Sequence, residues 1–363
     1  MLRWSWLLVV GTACSTSVGT GPSTTVDAAV DGGFPTDSGG APDLGLRPDG
    51  GAEPDSAVTD ALPQDQGFAE DAAVPDTGPT GPTVDRTDPQ RYRFTFTAAE
   101  LDPTATLALG NQLAVLDTRA EPLGRLVVYL HGAGLPTNCG ASGHADFLAD
   151  LGFHVLMPCY VSNYGVGNCG ADIGGCRLEA FEGVDHHNFI EIGPADAIEP
   201  RVVKMLEHLS TTNPEGDWSW FLDQGRPRWS AIVVSGISHG ASTSGLIGKY
   251  RDVAKVVMLS GPLDTGQAWL ALPALTPIER YFGFTHTGDG QHPGHLEAFE
   301  TLGLPGAPTS IDDTPAPYGG SHRLQSSAPT NDGHGSTQLG GASPTAPDGA
   351  YLFDPVWRAM YLD

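Results

Sequence analysis

The apolar run AIVVS at 231–235 continues directly into GISHG at 236–240 and AST at 241–243. A short run rich in β-branched residues predicts a buried strand, and the small residues after the turn allow a helix to begin. Glycine two residues before and two residues after Ser238 leaves room for a sharp turn. The pattern therefore predicts a strand, a tight turn and a helix, with the Ser238 hydroxyl exposed at the apex.

The sequence on either side of this stretch alternates between short apolar runs and helical patterns. Helical spacing is clear over 198–209 and expected over 241–250, whereas 160–192 has no clear period and is interpreted as a rim or cap segment. Such alternation indicates the α/β class, with a mostly parallel central sheet flanked by helices. The predicted strands are an opening antiparallel pair at 92–97 and 112–116, followed by 125–130, 153–157, 231–235, 255–259, 281–285 and 322–326.

A second motif follows the third predicted strand, where LHGAG occupies 130–134. GISHG and LHGAG, in register with the strand pattern, resemble signatures of the α/β-hydrolase superfamily over residues 90–363. The resemblance implies the α/β-hydrolase fold with Ser238 as the nucleophile. It also implies that the backbone N–H of His239 and that of Ala133 or Gly132 stabilise negative charge on the substrate oxygen.

The same resemblance implies an acid and a histidine after Ser238, in that chain order. Asp289 follows the seventh predicted strand, where most such hydrolases carry the acid, and Asp264 after the sixth strand is the alternative. For the base, His334 lies in the loop after the last predicted strand, and His322 at the start of that strand is the alternative. A triad of this kind needs no cofactor.

A competing pattern runs through the same region, because His286, Asp289, His292 and His295 recur every three residues. At this spacing on a helix, the side chains would share one face and could bind a metal ion. The glycines and the proline within the stretch argue against one continuous helix, so a loop that carries one triad acid is the preferred interpretation. A metal-dependent hydrolase that uses this loop is kept as an alternative.

Composition excludes one class of function and divides the chain. The 363 residues include 43 acidic and 18 basic side chains, for a formal net charge of −25, and only three lysines. Clusters of lysine and arginine bind phosphate backbones, so no nucleic-acid partner is expected. Residues 15–87 hold thirteen acids, two arginines and many Pro, Gly, Ser and Thr residues. They are predicted to form a disordered linker before a catalytic domain at 88–363.

The amino terminus has the features of an export signal over residues 1–14, namely Arg3, an apolar run and then small residues before Cys14. A cysteine after small residues, followed by an acidic linker, resembles the lipobox of a bacterial lipoprotein. Lipidation of Cys14 would tether the domain to a membrane, and plain secretion is the alternative. Either route predicts an extracytoplasmic location.

Four cysteines lie in the predicted domain, at positions 139, 159, 169 and 176. In an oxidising compartment they are candidates for two disulfides, with three possible pairings. Cys169 and Cys176 are close enough in sequence for a small loop, and Cys139 precedes the strand that ends near Cys159. The favoured pairing is therefore Cys139 with Cys159 and Cys169 with Cys176.

The predicted function is an exported serine hydrolase that cleaves small or polymeric carboxylic esters through an acyl-enzyme intermediate. A catalytically silent, surface-tethered binding module on the same fold is the alternative from a different class. Five aromatic residues are predicted to line the rim of the site and to favour a partly hydrophobic substrate: Tyr160, Tyr164, Phe181, Phe189 and Trp269.

Overall fold

The structure is a computed structural model that describes residues 81–363. The export signal at 1–14, the lipidation candidate Cys14 and most of the predicted linker at 15–87 lie outside the described residues. Residues 81–87 contact the folded part, where the backbone N–H of Asp85 donates to the carbonyl of Glu215 at 2.8 Å. Within 81–363, no helix combines the length and the apolar character needed to cross a bilayer.

The β-strands of the described residues form the centre of the fold. They are β1 (Arg91–Thr97), β2 (Asn111–Asp117), β3 (Leu126–Leu130), β4 (His154–Met157), β5 (Leu222–Asp223), β6 (Arg226–Pro227), β7 (Ile232–Ile237), β8 (Lys255–Leu259), β9 (Tyr281–His286), β10 (Thr309–Ser310) and β11 (Arg323–Ser326). β5 and β6 form a small separate hairpin. The other nine strands make one sheet in the order β1-β2-β4-β3-β7-β8-β9-β11-β10.

The sheet is antiparallel only at its beginning, where β1 pairs with β2 and β2 with β4. All the remaining pairs, from β4 and β3 through to β11 and β10, are parallel. Parallel strands place their carboxyl ends along one edge, which is where ligands bind in sheets of this class. The mostly parallel sheet with flanking helices confirms the predicted α/β class.

Helices cover both faces of this sheet. They are α1 (Ala98–Leu101), α2 (Ser142–Asp150), α3 (Val166–Cys169), α4 (Ile173–Glu182), α5 (Ile198–Thr212), α6 (His239–Tyr250), α7 (His292–Leu302), α8 (Gly333–Ser336) and α9 (Asp354–Leu362). Residues of α4, α5, α6 and α7 belong to one hydrophobic cluster, and residues of α2 and α9 belong to the other.

The strand β3 shows why the sheet lies between two cores. Leu126, Val128 and Leu130 belong to the first cluster, whereas Val127 and Tyr129 belong to the second. Successive side chains of a strand point to opposite faces, so a strand with both faces covered is apolar throughout. This explains why the central strands appear in the sequence as continuous apolar runs.

The segment 160–192 forms α3 and α4, and α4 packs against α5 and α6. Seven of the ten residues of α4 are buried, including Cys176, Arg177 and Phe181. A helix that is buried on most sides has no narrow apolar stripe, so its period is weak in the sequence. The structure therefore contains a helix that the sequence pattern does not predict.

Two disulfides join the residues that the spacing favoured. Cys139, after β3, pairs with Cys159, two residues after β4, and their Cα atoms are 5.2 Å apart. Cys169, the last residue of α3, pairs with Cys176 of α4 across a Cα separation of 6.5 Å. Disulfides of this kind are consistent with an oxidising, extracytoplasmic environment.

Candidate active site

Ser238 stands between β7 and α6 in a backbone conformation that L-residues rarely adopt, with φ of 58° and ψ of −117°. Its N–H donates to the carbonyl of Leu259 at 2.9 Å, and its carbonyl accepts from the N–H of Ser242 at 3.2 Å. Strained backbone of this type persists where the surrounding structure holds it, and it clusters at functional sites. The predicted strand, turn and helix are present, with Ser238 at the apex.

The glycines that flank Ser238 are required by close contact between the turn and the end of β3. A Cβ atom at Gly236 would lie 2.6 Å from the carbonyl oxygen of Leu130, and a Cβ atom at Gly240 would lie 2.1 Å from the same oxygen. Real Cβ contacts are never this short, so any larger residue would displace the turn. The turn is thereby pressed against the strand that leads into the LHGAG loop.

The LHGAG loop lies directly beside Ser238. A Cβ atom at Gly132 would be 3.6 Å from the Cβ of Ser238, and Ala133 lines the same cavity as Ser238 and His239. The Ser162 hydroxyl donates to the carbonyl of Gly134 at 2.6 Å, which anchors the outer part of the loop. His239 is the first residue of α6, so its N–H has no partner within the helix and is free for an anionic oxygen.

Asp289 and His334 are in direct contact. Nδ1 of His334 lies 2.7 Å from Oδ2 of Asp289, and Oδ1 of Asp289 accepts from the N–H of Gln291 at 2.9 Å. A carboxylate can only accept, so Nδ1 carries the proton and Nε2 is the basic nitrogen. A Cβ atom at Gly333 would lie 2.5 Å from the carbonyl carbon of Gly288, which shows how tightly the two loops pack.

Ser260 links the serine turn to the histidine loop. Leu259, which holds the Ser238 N–H, is followed by Ser260, whose hydroxyl donates to the carbonyl of His334 at 2.7 Å and lies 2.8 Å from the Thr337 hydroxyl. Ser238 follows β7, Ser260 follows β8 and Asp289 lies just after β9. His334 comes after β11, so the nucleophile candidate and the acid–histidine pair occupy the carboxyl edge of four neighbouring strands.

The alternative acid has different partners. Asp264 accepts from Nε and Nη2 of Arg177 at 2.7 and 2.9 Å, and from Nε1 of Trp269 at 2.9 Å. This ion pair is buried, with side-chain exposures of 3% for Arg177 and 4% for Asp264. The structure thus places Asp289 against His334, and Asp264 against an arginine.

The alternative base lies at the other edge of the sheet. Nδ1 of His322 is 2.9 Å from the carbonyl oxygen of Tyr281, the first residue of β9, and its ring stacks on Phe282 with centroids 3.9 Å apart. The amino ends of the parallel strands meet there, opposite the edge that carries Ser238. His322 and Ser238 are therefore held apart by the length of the strands.

The four residues that recur every three positions from His286 to His295 have different partners and lie in different elements. Nε2 of His286 lies 2.8 Å from the carbonyl oxygen of Ala328, and its Nδ1 accepts from the N–H of Gly288 at 2.9 Å, so both ring nitrogens are engaged. His292 and His295 begin α7 instead of continuing a helix from Asp289. Within 81–363 the four side chains do not converge on one point.

His295 is a second histidine beside the acid that the triad would use. Its Nδ1 lies 2.9 Å from the Thr285 hydroxyl and 3.8 Å from Oδ2 of Asp289, and the ring centroids of His295 and His334 are 6.3 Å apart. Burial lowers the pKa of His295 to about 4, against the opposing effect of Asp289. The ring is therefore neutral near pH 7, so it does not compete with His334 for the negative charge of Asp289.

His239 is buried between two tyrosines that the sequence assigned to the substrate rim. The Tyr160 hydroxyl donates to the carbonyl of His131 at 2.8 Å and lies 3.0 Å from Nδ1 of His239, and the Tyr164 ring meets His239 edge-on at 4.7 Å. Burial, with the nearby Arg177, holds the pKa of His239 well below its usual value. His239 therefore adds no positive charge beside Ser238.

The rim prediction is wrong for most of the aromatic residues. Tyr160, Tyr164, Phe181 and Trp269 are buried, and only Phe189 is exposed. Large aromatic side chains are buried on average, and without a clear period the sequence gives no sign of which of them would face the cavity. In the structure these four side chains belong to the core cluster beneath the site.

A cavity of about 420 Å³ opens beside Ser238 and is the volume available to a bound molecule. Its mouth carries exposed Val166 and Leu263, and its wall carries the buried pair Arg177 and Asp264. Arg177 was not predicted as a site residue, because its partner Asp264 lies 87 residues away in the sequence.

Compared with known proteins, the chain matches no family model and no curated protein sequence.

Proposed function

We propose that the protein is an exported serine hydrolase that cleaves carboxylic esters with a triad of Ser238, His334 and Asp289. The observation that carries the proposal is the 2.7 Å contact between Nδ1 of His334 and Oδ2 of Asp289, on the sheet edge where Ser238 occupies a strained turn. A serine is a weak nucleophile unless a positioned base removes its proton, and this edge supplies the base with its orienting acid.

The sheet topology supports the α/β-hydrolase fold as the framework of this site. An antiparallel start is followed by parallel strands in the order β4-β3-β7-β8-β9-β11. The serine follows β7, the acid follows β9 and the histidine follows β11, so the chain order is serine, acid, histidine. This order and the strand-turn-helix setting of the serine are those expected for that superfamily.

In the proposed reaction, Nε2 of His334 takes the proton of the Ser238 hydroxyl as Oγ attacks the ester carbonyl carbon. Asp289 keeps Nδ1 protonated and stabilises the imidazolium that forms. The N–H groups of His239 and of Ala133 or Gly132 stabilise the oxyanion. His334 then protonates the departing alcohol, and water attacks the acyl-enzyme by the same route to release the acid and restore Ser238.

Ester hydrolysis is favoured over amide hydrolysis by resemblance at the level of the fold, since the same triad serves both reactions. No step of this mechanism uses a cofactor. The two disulfides support export, and a lipid tether at Cys14 is the proposed anchor, which lies outside the described residues.

Fluorophosphonate labelling of the full chain tests the proposal, because an activated serine displaces fluoride from these reagents and becomes phosphonylated, whereas an ordinary serine hydroxyl does not react. Intact mass is expected to show one adduct on the wild type and none on Ser238→Ala. Ser244→Ala is the matched control: Ser244 is on the helix that follows Ser238, its buried hydroxyl has no hydrogen-bond partner in the described part of the chain, and its loss should leave labelling intact. Melting curves establish that all three proteins are folded.

Two results would overturn the proposal. A folded wild type that takes up no label would indicate the silent binding module instead. Ester hydrolysis that survives Ser238→Ala and is removed by a chelator would indicate a metal-dependent mechanism.

A further inference from the structure

The buried pair of Arg177 and Asp264 lies in the wall of the Ser238 cavity but has no part in the proposed triad. Nη1 of Arg177 donates to the carbonyl of His239 at 3.2 Å and to the Thr243 hydroxyl at 3.0 Å. The guanidinium is therefore fixed against the residue that directly follows the nucleophile.

This pair has hydrogen-bonding capacity to spare. Arg177 makes four hydrogen bonds with five N–H groups, which leaves one N–H of Nη2 without an acceptor among residues 81–363. In the same described part of the chain, Oδ1 of Asp264 accepts only one bond, from Nη2, although a carboxylate oxygen can accept two. A donor and an acceptor thus lie side by side at the cavity wall.

The mouth of the cavity has the opposite character. Val166 and Leu263 are 41% and 39% exposed, and Ala133 is exposed as well, so three of the four exposed lining residues are apolar and Gln291 is the polar one. Apolar side chains at the entrance favour a hydrocarbon part of a ligand, and the polar wall favours a group that forms hydrogen bonds.

We propose that the Arg177–Asp264 pair binds a hydroxyl group of the substrate, so that the preferred substrates are neutral, hydroxyl-bearing esters. A hydroxyl donates one hydrogen bond and accepts another, which matches the spare acceptor on Asp264 and the spare donor on Arg177. This inference rests on the proposed function, because it assigns the substrate class of the same site.

Charged groups fit this wall poorly. A carboxylate near Arg177 would also face Asp264, and an ammonium near Asp264 would also face Arg177. Each would be repelled by one member of the pair, and full pairing with the other member would require the buried ion pair to break, which is costly. A neutral hydroxyl binds while the pair stays intact.

The test compares kcat/KM for matched esters on the full wild-type chain. One arm pairs the 4-nitrophenyl esters of 2- and 3-hydroxybutyrate with 4-nitrophenyl butyrate, which places the hydroxyl in the acyl part. The other arm pairs the mono-butyrate of 1,3-propanediol with propyl butyrate, which places it in the alcohol part. In one arm the hydroxylated ester is expected to be preferred by at least about tenfold.

Arg177→Met/Asp264→Leu then removes the donor and the acceptor together, and it leaves no unpaired charge. The preference is expected to fall to about one, with butyrate hydrolysis less affected. Arg201→Met/Asp196→Leu is the control for loss of a buried ion pair, since this pair lies away from the cavity, and the preference ratio should persist.

The outcomes separate the two proposals. A wild type that hydrolyses butyrate esters and shows no preference in either arm overturns the hydroxyl site and leaves the triad in place. A preference that survives in the double variant also overturns it. A folded chain that cleaves no ester and takes up no fluorophosphonate overturns the proposed function as well.

Discussion

Asp289 and Asp264 are two buried acids that follow neighbouring strands at the same edge of the sheet, and their surroundings are very different. Asp289 meets His334 and, at a longer distance, His295. Asp264 meets Arg177 and Trp269. A histidine can pass a proton on, whereas an arginine keeps its charge at any pH a protein experiences. The partner, and not the position in the sheet, makes one acid a candidate for catalysis and the other a fixed part of the wall.

The largest difference between the two acids is expected when each is replaced by its amide. Asp289→Asn should lower kcat for an ester by about 10⁴-fold, because the amide no longer holds the required tautomer of His334. Asp264→Asn should lower kcat by a far smaller factor. Steady-state kinetics on folded proteins measures both, and inactivation by Asp264→Asn alone would reverse the two roles.

The second difference is in stability. Asp264→Leu leaves the Arg177 charge buried without a partner, so the free energy of unfolding should fall by about 3–5 kcal/mol. Arg177→Met/Asp264→Leu removes both charges and should recover most of that loss. Urea unfolding measures the two variants, and equal losses would show that the unpaired charge is not the cause.

The Asp289 side is also sensitive to the packing of its loops. Gly333→Ala would place a Cβ atom 2.5 Å from the carbonyl carbon of Gly288, so the His334 loop must move away from Asp289. A displacement near 1 Å costs about 10²-fold in rate, and kcat should fall by about that factor. Gly290→Ala is the control beside Asp289, because its Cβ atom would meet nothing within 4 Å. Equal kcat values for the two variants would contradict the prediction.

The last prediction concerns the dependence of stability on pH. Burial holds the pKa of His295 at about 4, below the usual 6.5, so the unfolded chain binds this proton at a higher pH than the folded chain does. Stability from this group is therefore complete above about pH 6.5 and is lost as the pH falls toward 4. The thermal midpoint of His295→Gln should fall less steeply with acid than that of the wild type. Identical slopes would exclude the effect.

The sequence predicted the parts of this comparison that depend on neighbouring residues. The turn at Ser238 is encoded by an apolar run and two nearby glycines, and the parallel strands are encoded by apolar runs of their own. The sequence favours Asp289 over Asp264 only through the family resemblance, and for a physical reason. Both follow a strand, and their partners come from distant segments, 45 residues after Asp289 and 87 residues before Asp264.

The helix α4 and the two rim tyrosines show where local patterns carry no information. Because α4 is buried on most sides, its residues show no helical stripe, and Arg177 was not identifiable as a cavity residue. Tyr160 and Tyr164 turn inward to His239, a contact across 79 residues in the case of Tyr160. Long-range partners decided each of these positions.

The disulfide between Cys169 and Cys176 has a consequence for where the protein matures. Cys176 directly precedes Arg177, and Cys169 ends the short helix that begins with Val166, so one covalent bond joins the two segments that form the cavity wall. That bond forms only where oxidants are present. Chain that folds in a reducing compartment would lack this bond, and non-covalent contacts alone would hold the two wall segments together, so the cavity wall is expected to be complete only in protein that matures under oxidising conditions.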